Sequence, residues 1–203
     1  MIGGPAWIDS DDYDIEAKPE SNTDQKHAWL MLQSLLADRF RLTLHRETRE
    51  LPVYELKAKK SGLKLPAPKD VNCVSFPPGT TPRPIPRSVD CGYAPLLLSA
   101  AGVRMEGSKL HMADLTRQLA IVLGRPVLDK TGFTGEFDVD LKTTEQDAVK
   151  SQGSAAAVRN PIPANPNLSL VFAAMDQLGL KLEPAKGPVE VLVVDQAERP
   201  TPN

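Results

Sequence analysis

Three times along this chain an apolar pattern of helical period gives way to one of period two, and any fold must bury all three switches. In the first, Ala28, Leu32, Leu35 and Leu36 recur at helical spacing to about Arg39. Phe40, Leu42 and Leu44 then alternate with Arg41, Thr43 and His45, as in a half-buried strand. A charged turn over 46–51 leads to a return strand in which Tyr54, Leu56 and Ala58 share a face. The second switch has a stripe of Met112, Leu115, Leu119 and Val122, a stop at Gly124, and the short strand Pro126-Val127-Leu128. After the turn Asp129 to Gly132, Phe137, Val139 and Leu141 alternate with Glu136, Asp138 and Asp140. In the third, Asn165-Pro166 opens a helix striped by Leu168, Val171, Phe172, Met175 and Leu178 and ended by Gly179. Leu180 and Leu182 begin a strand, Lys186-Gly187-Pro188 turns it, and Val189 to Val194 returns.

The expected fold is therefore α+β, a single domain over 1–203 of repeated helix-strand-strand units at about 23–58, 112–142 and 167–195, with helices packed on antiparallel β-hairpins. The competing explanation is chance recurrence of a common motif. Residues 62–100 and 144–166, rich in Pro or in Ala and polar residues, read as irregular loops between the units.

A formal charge of -2 gives no net positive field to hold a polyanion, which argues against nucleic acid as a partner. No apolar run reaches about 18 residues, so nothing in the sequence reads as a bilayer span. The opening, Met1 to Trp7, lacks a basic stretch followed by an apolar one, and it leads through a Gly-Pro-Trp turn into a strand at Tyr13 to Ala17 without a preceding partner. The expectation is a truncated start. Cys73 and Cys91 both lie in the Pro-rich segment. A disulfide between them is expected to restrain the enclosed loop by about 3 kcal/mol, and points to a periplasmic or secreted chain. Two free thiols of a cytosolic loop are the alternative. With no His nearby, the two cysteines cannot complete a tetrahedral zinc site.

Four blocks, "GGPAWIDSDDYDIEAK", "LLADRFRLTLHRETRELPVYELK", "LGRPVLDKTGFTGEFDVDL" and "LGLKLEPAKGPVEVLVVDQAERP", resemble a large paralogous family of uncharacterised secreted proteins expanded in acidobacteria. Asp12 departs from the basic residue expected there. The resemblance implies an upstream signal peptide and helical segment. It also implies, from members that carry the domain behind a membrane metallopeptidase of the antirepressor type, a sensory or regulatory role outside the membrane. It brings no catalytic residues. A more distant likeness of shape, to the short N-terminal domains of secretins and of receptors that signal through TonB, implies protein binding in the periplasm.

The motifs that invite chemistry each have a plainer reading. Asp129-Lys130-Thr131-Gly132 resembles the phosphorylated aspartate motif of cation pumps, yet Phe133 follows it, and Asp and Gly suit the ends of a type I turn. His27, His45 and His111 fall in three elements, and Ser99, Ser108 and Ser169 lack a nucleophile elbow. Glu136, Asp138 and Asp140 could meet a cation but read as the wet face of a strand, and the charges of 46–50 read as a solvated hairpin tip. Trp7 and Trp29 could stack on sugar rings, which makes a carbohydrate-binding module one alternative; Trp7 reads better as a packing anchor. A small secreted hydrolase with a site assembled from distant residues is the other. The expectation is an extracytoplasmic protein-interaction or sensory module without catalysis, cofactor or metal, whose partner is an envelope or extracellular protein. Val189, Val191 and Val193, on an apolar last strand, are its expected interaction edge.

Overall fold

The computed structural model describes residues 2–18, 25–69, 73–75, 90–99, 102–144, 146–147 and 166–200. The order is β1 (Ile2–Gly3), a 3-10 turn (Ala6–Asp9), α1 (Gln25–Phe40), β2 (Thr43–Ala58), β3 (Val74–Ser75), β4 (Asp90–Cys91), β5 (Leu97–Ser99), β6 (Gly102–Leu110), α2 (Met112–Leu123), β7 (Val127–Asp129), β8 (Phe137–Thr143), α3 (Pro166–Gln177) and β9 (Leu180–Gln196). The class is α+β, as expected. One sheet has the order β1-β9-β2-β7, and the other β3-β4-β6-β5 with β8 also on β6. The chain divides into two compact units, one built from both ends (Met1–Leu51 and Pro188–Asn203), the other continuous from Pro52 to Gly187.

The continuous unit holds the hydrophobic core. Leu56, Met105, Leu115, Leu119 and Met175 are fully buried, each a site where truncation to Ala costs about 2–5 kcal/mol. Helix α2 starts where the His111 N–H donates to Asp114 Oδ2 at 3.0 Å, half of a capping box, and stops where the Gly124 N–H donates to the Ala120 carbonyl. Helix α3 begins on Pro166, whose missing N–H costs nothing there, and ends before Gly179 at φ 71°. A Cβ on Gly179 would also overlap the Gly62 carbonyl oxygen, so both conformation and space require glycine.

Strands β6 and β8 pair antiparallel, Val103 with Thr143, Met105 with Leu141 and Gly107 with Val139. Two residues of β6, Ser108 and Lys109, then bulge before Leu110 meets Phe137. Lys109 takes φ 51° there, and its N–H donates to Asp138 Oδ1 at 3.0 Å. The Lys69 N–H donates to Asp138 Oδ2 at 2.9 Å, and the Asp138 N–H to the Pro66 carbonyl at 3.0 Å. Asp138 is thus a buried clamp joining the 66–69 segment to the bulge, whereas the alternation of Glu136, Asp138 and Asp140 had placed it on a wet face.

The unit made from the two chain ends is thinly packed. Among its described residues Val194, 5% exposed, is the buried apolar side chain. β1 pairs parallel with β9, Ile2 with Val193 and Gly3 with Val194. Helix α1 ends in a left-handed Arg41, φ 48°, and the Leu42 N–H returns to the Ala37 carbonyl at 3.1 Å, the six-to-one bond of a Schellman turn.

Each described α-helix is followed by a strand, as the three period switches predicted, but the expected hairpins do not form. β2 runs unbroken through the charged residues 46–51, and β9 through Lys186-Gly187-Pro188. Nor do β7 and β8 pair with each other: β7 lies parallel to β2, Tyr54 opposite Val127, and β8 lies on β6. The physical reason is visible at Gly187. It is buried inside β9, where a Cβ would stand 2.8 Å from Leu128 Cδ1 and 3.4 Å from Val53 Cγ2; the glycine serves close approach within a strand, not a turn. The segment 62–100, expected to be irregular, contributes β3, β4 and β5 to the second sheet; β6 follows it. Most of the loop expected at 144–166, including Asn165, lies outside the described residues.

Candidate interaction surface

Helix α1 carries apolar side chains around most of its circumference, so no single face can bury them all. None of its described side chains is buried. Ala28, Leu32, Leu35, Leu36 and Phe40 are half-buried, while Trp29, Leu30 and Met31 are 47%, 51% and 44% exposed. In the same unit Tyr13, Ile15, Leu44 and Leu192 are also exposed. Scattered single apolar residues on a surface are ordinary; three consecutive large ones on a helix are not.

The base of α1 is held by aromatic and polar contacts. The Trp7 ring stacks on Phe40, centroids 6.3 Å apart, and Tyr13 meets Phe40 edge-on at 5.2 Å. The Arg199 guanidinium lies 5.6 Å from the Trp7 ring centroid, and its Nε donates to Asp11 Oδ2 at 2.9 Å. The hydrogen bond from Arg199, and then that from Ser10, hold the Asp11 carboxyl below its ordinary range. The Glu198 N–H donates to the Phe40 carbonyl at 2.7 Å, satisfying one of the acceptors that a helix C-terminus leaves open. Trp7 therefore packs as an anchor, and of the two tryptophans Trp29 is the more exposed.

Val189, Val191 and Val193 are half-buried on β9, an inner strand of its sheet. At Val193 the outer edge is already taken by β1, which spans two residues; Val189 and Val191 lie beyond that pairing. Arg46, in the charged run 46–50 within β2, pairs with Glu190, and His45 Nδ1 lies 2.7 Å from Asp195 Oδ1, both pairs well exposed. Exposed pairs of this kind contribute about 0–1 kcal/mol.

Cys73 and Cys91 stand at disulfide distance, Cα atoms 5.2 Å apart, beside the parallel pairing of β3 and β4. Asp129 Oδ1 accepts from the Thr131 N–H at 2.8 Å and from its hydroxyl at 2.7 Å, which makes it the closing group of a side-chain turn. His111 Nε2 lies 3.6 Å from Glu136, and the Ser99 hydroxyl donates to the Gly102 carbonyl at 3.3 Å. Ser108 sits opposite Cys91 in the β4·β6 ladder, Ser169 is in α3, and His27 is in α1. Among the described residues no group of three or more His, Cys, Asp or Glu could hold a metal ion, and no helix is long and apolar enough to cross a membrane.

The exposed helix was legible as a stripe but not as a surface. Ala28, Leu32, Leu35 and Leu36 announce the packed side; the signal for the rest of the helix was the unbroken Trp29-Leu30-Met31, which runs from one flank of that stripe round the back to the other. A family model matches residues 1–197 of the chain, while no curated protein and no solved structure matches it.

Proposed function

The chain belongs to that family, described as a protein of unknown function, DUF3738, and on that premise we propose that it is an extracytoplasmic protein-interaction module, sensory in role and without catalysis of its own. The observation that carries this reading is the exposed apolar run Trp29-Leu30-Met31 on a helix with no buried described side chain. Large apolar side chains left exposed within one helical turn are a feature of docking sites, and Trp and Met are enriched in them. The partner fitted to it is another protein of the cell envelope or the extracellular space. The Cys73–Cys91 pair supports the compartment, because disulfides persist where thiols are not kept reduced. Val189 and Val191 form the secondary edge of the same unit.

A photo-crosslinking residue in place of Leu30, introduced in the cells that produce the protein, tests the reading. A discrete protein adduct is expected at Leu30, with none from the same probe at Ile121, which is 70% exposed on α2. Equal labelling at both positions, or none at Leu30, would remove α1 as the docking surface.

A further inference from the structure

The two units differ in what holds them. The 52–187 unit closes around the core that contains Leu56, Met105, Leu115 and Met175. The unit made from the chain ends has Val194 as its buried apolar side chain among the described residues, and a helix of 16 residues, near the length at which isolated helices are marginal in water. Few buried apolar contacts and exposed backbone hydrogen bonds are the features of segments that open below the global unfolding free energy.

Beside the β1·β9 pairing and the exposed His45–Asp195 and Arg46–Glu190 pairs, this unit has a junction at 198–199 that holds the end of α1. The Glu198 N–H caps the last carbonyl of α1, and Arg199 reaches Asp11 and the Trp7 ring, which itself stacks on Phe40. Three segments of chain, 7–13, the end of α1 and 198–199, meet there through an ion pair, a cation–π contact, ring contacts to Phe40 and one backbone bond. Each of these contacts is modest in energy at an exposed site.

We propose that the chain-end unit is a latched element: it opens as one body while 52–187 stays folded, and Arg199 is the latch that sets how often α1 is released. The inference stands whether or not α1 has a partner, since it concerns the opening of the free chain.

Native-state hydrogen exchange on the full chain tests it. In the unaltered protein the amides of 27–40 and 189–196 should exchange together and faster than those of 103–107 and 139–141. Arg199→Ala should accelerate the first group about three- to ten-fold and leave the second unchanged. Arg199→Lys, which keeps the charge but loses the planar fork, should lie between. Met105→Ala should instead accelerate the second group. Equal protection of the two groups, a parallel change in both on Arg199→Ala, or no change in either would overturn the proposal. An adduct at Leu30 could still form in each of those cases, so the two readings fail separately.

Discussion

Arg41 holds a left-handed conformation that suits glycine better than any residue with a side chain. At φ 48° its Cβ crowds the following carbonyl, at a cost of about 1–2 kcal/mol, part of which glycine would give back as chain entropy. Arg41→Gly should therefore raise the stability of the α1 segment by about 0.5–1 kcal/mol, read as slower exchange over 27–40. Asp138 makes the opposite case. Its carboxylate accepts from two backbone N–H groups, those of Lys69 and Lys109. Asp138→Ala would leave both donors without it in a part-buried site, and should cost about 2–4 kcal/mol in urea denaturation. Strand period correctly set Phe137, Val139 and Leu141 inward. It could not show that the β6 bulge and the 66–69 segment close over the opposite side, because neither is encoded near Asp138 in the sequence.

At the scale of elements, helices were legible and strand partners were not. A helix satisfies its own backbone, so stripe, cap and stop lie within one window; Met112 to Gly124 and Pro166 to Gly179 could be read directly. A strand is satisfied by another that may lie anywhere in the chain. Thus 46–51 and 186–188, with charges or Gly-Pro, read as turns although they are the middles of β2 and β9. β6 was missed although Val103 and Met105 alternate with Arg104 and Glu106, the period-two cue that would have found it. Gly187→Ala separates the two readings experimentally. A hairpin tip tolerates alanine, whereas a strand glycine facing Leu128 and Val53 should lose about 1–3 kcal/mol through overpacking. The Cys73–Cys91 pair, spanning 18 positions, was expected from residue types alone, and replacing both with Ser should lower stability by about 3 kcal/mol without abolishing the second sheet.

For the whole molecule, pH should act unevenly. Asp11 is held below its ordinary value by the hydrogen bond from Arg199, and Glu47 by that from Arg49. A carboxyl lowered in the folded state contributes stability that is fully present above its unfolded value and is lost as pH falls through the folded one. Opening of the chain-end unit should therefore increase on acidification below the ordinary carboxylate range. Added salt at neutral pH should act in the same direction, since the Asp11–Arg199 contact is exposed to solvent. Exchange over 27–40 measured at neutral and acid pH, corrected for intrinsic rates, checks this; a profile parallel to that of 139–141 would contradict it.

The unit built from both ends has a further consequence, in the time it takes to make the protein. Strand β9 supplies the partner of β1, and Glu198 just after it meets Phe40, but about 140 residues of the intervening unit must be translated first. At about 5–20 residues per second that interval is about 7–30 s, long compared with the microseconds in which a helix forms. Throughout it, Trp29, Leu30 and Met31 are available to any chaperone or translocation factor that reads apolar segments, while the unit behind them completes its core.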